Sequence, residues 1–187
     1  MGVRSWAVTG PAETQFAEGL KHDDRRLSIT TRGAQMFDIR EDDLTGEATR
    51  ALLTLHLRGM HENSPAEHVF ALDLSELKAP NVKVWSLWDR GALAGIGALK
   101  DLGDGTGEVK SMRTGPRHLR RGVAAALLEH IISEARRRGL RRLSLKTGSG
   151  AAFEPALALY RKHGFTGGAA FSGYEPSDFN QFLHLSL

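Results

Sequence analysis

The chain has 187 residues, 41% of them hydrophobic and 25% charged, with a formal charge of +3, which suits one globular domain with a single core. It has no cysteine, which excludes a disulfide framework, thiolate zinc sites and a cysteine nucleophile. No apolar run reaches the roughly 18 residues needed to span a bilayer and no signal-peptide pattern opens the chain, so a cytoplasmic location and no membrane partner are expected.

Residues 1–35 mix small, polar and charged side chains without a sustained period. They read as a weakly ordered N-terminal extension, with Met36 a candidate true start and residues 36–187 the domain proper. Met36–Arg40 alternates like a strand. Thr45–His61 reads as a helix with Thr45 as its cap, and Pro65–Leu77 as a second, shorter one. Val82–Asp89, Leu93–Lys100 and Glu108–Thr114 read as three strands, the first two joined tightly at Arg90-Gly91. Val123, Leu127, Leu128, Ile131, Ile132 and Ala135 form one stripe of a helix over 122–138, with Gly139 as its left-handed cap. Arg141–Lys146 (strand), Phe153–His163 (helix), a strand from Phe165 and a last strand Phe182–Leu187 complete the order. The fold class is mixed α/β with a largely antiparallel sheet flanked by helices. It lacks the repeated βα order of a dinucleotide fold.

A strand running into Thr114-Gly115-Pro116, then Leu119-Arg120-Arg121-Gly122-Val123-Ala124, then a long helix, has the parts of an anion cradle. The first helical amides lack internal partners and carry partial positive charge. Gly122 permits close approach, and the arginines add charge. The basic stretch Arg117–Arg142 allows three readings: a phosphate-rich cofactor, a nucleic acid, or a solvated face. It has no interleaved aromatics and the chain is only mildly basic, which argues against nucleic acid. The histidines show no metal-ligand spacing and no HExxH occurs, so no metal is expected.

Glu108–Leu128 resembles the acyl-CoA-binding motif of the GNAT superfamily of N-acetyltransferases, Gln/Arg-x-x-Gly-x-Gly/Ala, with Gly122 and Ala124 at the two small positions. Leu119 departs from it, standing where the family has Gln or Arg. Ala156–Phe165 resembles the family's second motif, Ala-x-x-Leu-Tyr-x-x-x-Gly-Phe. Phe153 stands where the family often has Asn. The resemblance covers about residues 36–187 and points to a small bacterial subgroup of unassigned substrate.

The resemblance implies a GNAT-like fold and transfer of an acetyl group from acetyl-CoA, a co-substrate, to an amine. The amine belongs to a small molecule or, as a lesser expectation, a protein. It implies Tyr160 as the acid at the departing sulfur and Glu108 as a candidate base. It also implies that Met112 and Thr114 contact the thioester and pantetheine arm, while Leu119, Arg120, Arg121, Gly122, Val123, Ala124 and Phe153 lie at the cofactor. His61, Glu67 and His68 lie where the family shapes the acceptor pocket. Homodimers are common in the family. The rival readings are a non-catalytic acyl-CoA-binding module, in which Tyr160 only packs, and a nucleic-acid binder using Arg117–Arg142.

Overall fold

The computed structural model describes residues 26–31, 35–64 and 74–187. Eight strands form one sheet in the order β1-β2-β3-β4-β5-β6-β8-β7. They are β1 Arg26–Thr31, β2 Gln35–Glu41, β3 Val82–Asp89, β4 Ala92–Asp101, β5 Thr106–Thr114, β6 Arg142–Gly148, β7 Thr166–Gly167 and β8 Asn180–Ser186. The helices are α1 Glu47–Asn63, α2 Leu74–Leu77, α3 Val123–Arg137 and α4 Glu154–Lys162. Every pairing is antiparallel except β5 with β6.

Local chemistry sets most of these boundaries. Arg90 and Gly91 both have positive φ, +51° and +83°, the geometry of a two-residue hairpin whose twist matches its strands. Gly139, at φ +72°, ends α3 as the sequence predicts. Thr45 does not cap α1. Its amide and hydroxyl are both held by the Asp43 carboxylate, at 2.9 and 2.7 Å, and Gly46 takes the cap position. Strand β1 was not expected. It lies within 1–35 and pairs with β2 along its whole length. The strand expected from Phe165 is only the two-residue β7, because Phe165 itself is buried in the core and Gly164 turns the chain at φ +88°. Most of the second helix expected over Pro65–Leu77 lies outside the described residues.

All six residues of the α3 stripe are buried against the sheet. Burial of each large aliphatic side chain is worth about 1.5–3 kcal/mol. Gly95 and Gly97 of β4 let α3 and β5 come close. A Cβ on Gly95 would stand 2.6 Å from Val123 Cγ1, and one on Gly97 2.6 Å from Met112 Sδ. A second cluster, including Leu44, Leu52, Leu53, Val84 and Ile96, seats α1 and α2 elsewhere on the sheet.

Two irregularities in the sheet create the site. In the β4–β5 ladder Ile96 faces Arg113 and Ala98 faces Lys110, so Ser111 and Met112 together oppose Gly97. This is a β-bulge. Ser111 sits there at φ +56°, a conformation rare for a residue with a side chain. The parallel β5–β6 pairing covers only Thr106–Glu108 against Arg142–Ser144, although β5 runs on to Thr114 and β6 to Gly148. Beyond Glu108 the two strands part, and β6 stays paired with β8.

Candidate active site between the parted strands

A cleft of about 240 Å³ opens where β5 and β6 part. Its walls come from α1, β5, β6, the start and inner face of α4, and the loop before β8. The loop expected from sequence to hold the cofactor follows the end of β5, and none of Leu119–Ala124 is in the cleft wall. Gly115 donates its amide to the Ala94 carbonyl at 2.7 Å, which ties the loop to β4. A one-turn helix over Pro116–His118 follows, then Arg120 and Gly122 at φ +59° and +82°. The first intrahelical bond of α3 runs from Ala126 N to Gly122 O, so the amides of Val123, Ala124 and Ala125 precede it at the open helix end. A Cβ on Gly122 would meet nothing within 4 Å, so the space before these amides is open. Val123 turns its side chain into the core while its amide stays at the helix end. Leu119 is exposed at 58%.

The loop arginines divide into two groups. Arg121 pairs at 2.8 Å with Asp89, a buried carboxylate at the end of β3, with His118 3.9 Å away. That contact anchors the loop to the sheet. Arg117 and Arg120 are exposed. Farther along, Arg137 and Arg138 both pair with Glu134, at 2.8 and 2.7 Å, and Arg138 also lies over the Trp85 ring. The basic stretch is therefore partly spent within the fold.

Tyr160 reaches the cleft from α4, with its ring buried edge-on against Phe165 at 5.8 Å between centroids. Burial pushes its phenol up to about 12. Phe153 immediately precedes α4 and packs at 5.5 Å against Phe179. Met112, on the bulge, lines the cleft, while Thr114 pairs with Gly95 at the end of β5.

The other end of the cleft is polar. Glu108 is 3% exposed. Its Oε1 accepts from the Tyr174 hydroxyl at 2.8 Å and from Lys110 Nζ at 3.4 Å. Its Oε2 is buried with no hydrogen-bond partner among the described residues. Lys110 Nζ also donates to the Tyr174 hydroxyl at 3.1 Å. Lys146 Nζ, from β6, lies 4.2 Å from the centroid of the Tyr174 ring. Burial and then the Lys110 charge lower the Lys146 ammonium to about 8, against an opposing pull from Glu108. Burial first, then the Glu108 charge, raise the Tyr174 phenol above its ordinary range. Tyr174 is held by a turn through Ser172 and Gly173 at positive φ and by Phe171, 5.4 Å away ring to ring.

On α1 the histidine facing the cleft is His56, held down to about 4 by burial and by the charge of Arg113. It is thus neutral at pH 7. His61, expected in the acceptor pocket, is exposed, with Nδ1 2.8 Å from the Leu57 carbonyl and no place in the cleft wall. The helical period turns His56, Gly59 and Met60 inward and His61 outward. Glu67 and His68 lie outside the described residues. Sequence reasoning missed Lys110, Lys146, Tyr174 and His56. Only Lys110 carried a usable signal, since it shares a strand face with Glu108 two residues away. Among the described residues no group of His, Asp and Glu could hold a metal, and no helix is long and apolar enough to cross a membrane.

Residues 36–165 match the acetyltransferase (GNAT) family. The uncharacterized N-acetyltransferase YedL of Escherichia coli (strain K12) is 49% identical over 152 residues, which cover 81% of this chain and 96% of that protein. A candidate acyl-CoA N-acyltransferase from Klebsiella pneumoniae superposes with a TM-score of 0.69 at 28% identity, covering 81% of this chain and 97% of its own. A Bacillus subtilis acetyltransferase solved in complex with CoA superposes with a TM-score of 0.61 at 19% identity, covering 80% and 97%. With its sheet, its parted strands and its amide-lined loop, this chain belongs to the GNAT family of acetyltransferases.

Proposed function

We propose that the protein transfers an acetyl group from acetyl-CoA to the primary amine of a small molecule, both substrates meeting in the cleft between β5 and β6. The observation that carries this reading is the parting of these strands after Glu108 and Ser144, with Tyr160 and Glu108 on the walls of the same cleft. Acetyl-CoA fits the open groups present. Its pyrophosphate suits the amides of Val123, Ala124 and Ala125, with Arg117 and Arg120 beside them. Its extended arm suits the free edge of β5 from Met112 to Thr114, where main-chain groups can pair with it as an added strand.

The attacking amine must be neutral. A lysine-like amine has a pKa of about 10.4, so fewer than about one in a thousand molecules qualify at pH 7. Glu108, through Oε2, takes a proton from the ammonium directly or through one water and passes it to solvent. The nitrogen lone pair then attacks the thioester carbonyl carbon, whose oxygen is polarised by the Met112 amide on the bulge. The N–C bond forms, the C–S bond breaks, and the sulfur leaves with the bonding pair. The second nitrogen proton is lost as the adduct collapses and ends on the sulfur.

Tyr160 is protonated at neutral pH like any tyrosine, and burial raises its phenol further, to about 12. A thiol has a pKa of about 8.5, so complete transfer from Tyr160 to the thiolate is uphill. Its role is therefore a hydrogen bond to the sulfur that strengthens as negative charge builds.

Tyr160→Phe keeps the ring and its packing and removes that bond. With acetyl-CoA and a panel of amines, CoA release should show kcat at least tenfold lower in the variant, while calorimetry gives a CoA Kd within threefold of wild type. Full activity in the variant would remove Tyr160 from the mechanism. No CoA release from wild type with any amine would favour a non-catalytic acyl-CoA-binding module.

A further inference from the structure

Glu108 and Lys110 stand two residues apart on one face of β5, where a close ion pair would tie up the carboxylate that acetyl transfer needs as a base. A third group stands between them. Tyr174 arrives from the loop before β8, 66 residues along the chain, and its hydroxyl lies 2.8 Å from Glu108 Oε1 and 3.1 Å from Lys110 Nζ. Lys110 itself reaches Oε1 at 3.4 Å. Glu76 also stands 4.0 Å from Lys110, but its side chain is 58% exposed, so water screens that pair. An ammonium has protons to give and no lone pair to accept with. The hydroxyl therefore accepts from Lys110 and turns its one proton to Oε1. Donors in series polarise one another, and a bond to an ionised acceptor is stronger than a neutral one. Both donors meet the same oxygen, and Oε2 is left buried with no partner among the described residues.

The loop holds that hydroxyl in place. Ser172 and Gly173 turn the chain at positive φ, and the Tyr174 amide donates to the Phe171 carbonyl at 3.0 Å. Phe171 packs edge-on against Tyr174, Phe182 and His184, at 5.4, 6.1 and 5.7 Å between centroids. His184 Nε2 donates to the Ala169 carbonyl at 2.9 Å, and its Nδ1 lies 2.8 Å from Ser144 Oγ. Ser144 is the register partner of Glu108 across β5 and β6, so the loop is tied back to the strand pair that carries the base. We infer that Tyr174 is a positioning residue for Glu108: its hydroxyl occupies Oε1 and holds Lys110 away from Oε2, which stays available for the acceptor's proton. This rests on the acetyl-transfer reading above, in which Glu108 is the base. Tyr174 acts through Glu108 and takes no part in bond making.

The first arm is a cycle of variants read by CoA release. Tyr174→Phe keeps the ring beside Phe171 and Lys146 and removes only the hydroxyl. With an alkylamine at pH 7, kcat/KM for the amine should fall at least tenfold, while the CoA Kd stays within threefold of wild type. In the Glu108→Gln background the same substitution should cost less than threefold, because a residue that acts through the base then has nothing to act on. The loss should also fall below threefold with an alkoxyamine, which is already neutral at pH 7 and needs no base. A purely structural role would cost the same in both backgrounds and with both amines.

The second arm needs no turnover. Crystal structures of wild type and Tyr174→Phe, each with CoA, are compared at Glu108. In the variant the Lys110 ammonium should close on the carboxylate and bond Oε2, which meets no donor among the described residues of the wild type. Adding Lys110→Met to the variant should open Oε2 again. An unchanged Glu108–Lys110 geometry in Tyr174→Phe, or a Tyr174 effect of equal size with and without Glu108, would overturn the inference. A loss of activity in Glu108→Gln with none in Tyr174→Phe would overturn it too and leave the acetyl-transfer reading intact. Silence of the wild type with every amine would count against acetyl transfer, and the crystal comparison would still decide whether Tyr174 holds Glu108.

Discussion

The two parts of the proposed site are built on different principles. The proposed cofactor end is made of backbone: amides at the start of α3, a glycine at positive φ and a free strand edge. Its side chains matter mainly by staying small or by anchoring the loop, as Arg121 does on Asp89. The acceptor end is made of side chains from three separate places, Glu108 and Lys110 on β5, Lys146 on β6 and Tyr174 in the loop before β8. A backbone site tolerates many sequences and binds one invariant group. A side-chain site changes its ligand with each substitution. The division matches the two substrates proposed here, one constant and one that defines the individual enzyme.

Variants at the two ends should therefore fail in different ways. The largest expected effect is Glu108→Gln. Its amide oxygen can still accept from Tyr174, but the base is gone, so kcat/KM should fall by about 10²–10⁴. Calorimetry should show CoA affinity unchanged within threefold. A matching loss of CoA affinity would place Glu108 with the cofactor and break the division.

Gly122→Val should do the reverse. The Cβ and its branches enter the open space before the α3 amides, so CoA affinity should fall more than tenfold. The positive φ adds a strain of about 1–2 kcal/mol. Gly139→Val carries a similar strain at the far end of α3, where a Cβ also meets nothing. It should lower the melting temperature to a similar degree and leave CoA affinity alone. If both variants lose CoA equally, the Gly122 effect is one of folding and not of the site.

The smallest effect sharpens the comparison by pH. The Lys146 ammonium is held down to about 8, so it is charged below that pH and loses its proton above it. Lys146→Met, which never carries that charge, should therefore differ from wild type in kcat/KM at pH 7 and converge on it at pH 9. CoA binding through amides and arginines should stay flat over the same range. A constant ratio of the two from pH 7 to 9 would mean that the Lys146 charge does not act on the reaction.

The helix and loop patterns around Gly122 and Tyr160 were legible in the sequence and the cluster around Glu108 was not, for reasons that follow from how each is built. Gly122, the α3 stripe and the Tyr160-to-Phe165 run are local patterns, because a helix start and one helix face are set by neighbours in the chain. The sheet order follows from hairpins such as Arg90-Gly91. Glu108 reads as a strand-end carboxylate until β6 and the Tyr174 loop close over it. That closure joins residues 108, 146 and 174, a distance no period spans. His61 is expected at the acceptor pocket from the family resemblance, whereas the rotation of α1 turns His56 to the cleft and His61 away from it. Thr45 failed as a cap because Asp43, two residues earlier, took its hydroxyl. Among the described residues strand β1 pairs only with β2, and it carries no pattern that sequence reading detected.

The central claim is that one cleft between β5 and β6 holds the thioester at a backbone end and the amine at a side-chain end. A crystal structure of the protein with bound CoA tests it most directly. The account predicts pyrophosphate oxygens within hydrogen-bonding distance of the Val123, Ala124 and Ala125 amides. It also predicts the sulfur lying between Met112 and Tyr160, with the Glu108–Lys146 end left open for the acceptor. CoA bound elsewhere, or its sulfur lying against Lys146 and Tyr174, would contradict it.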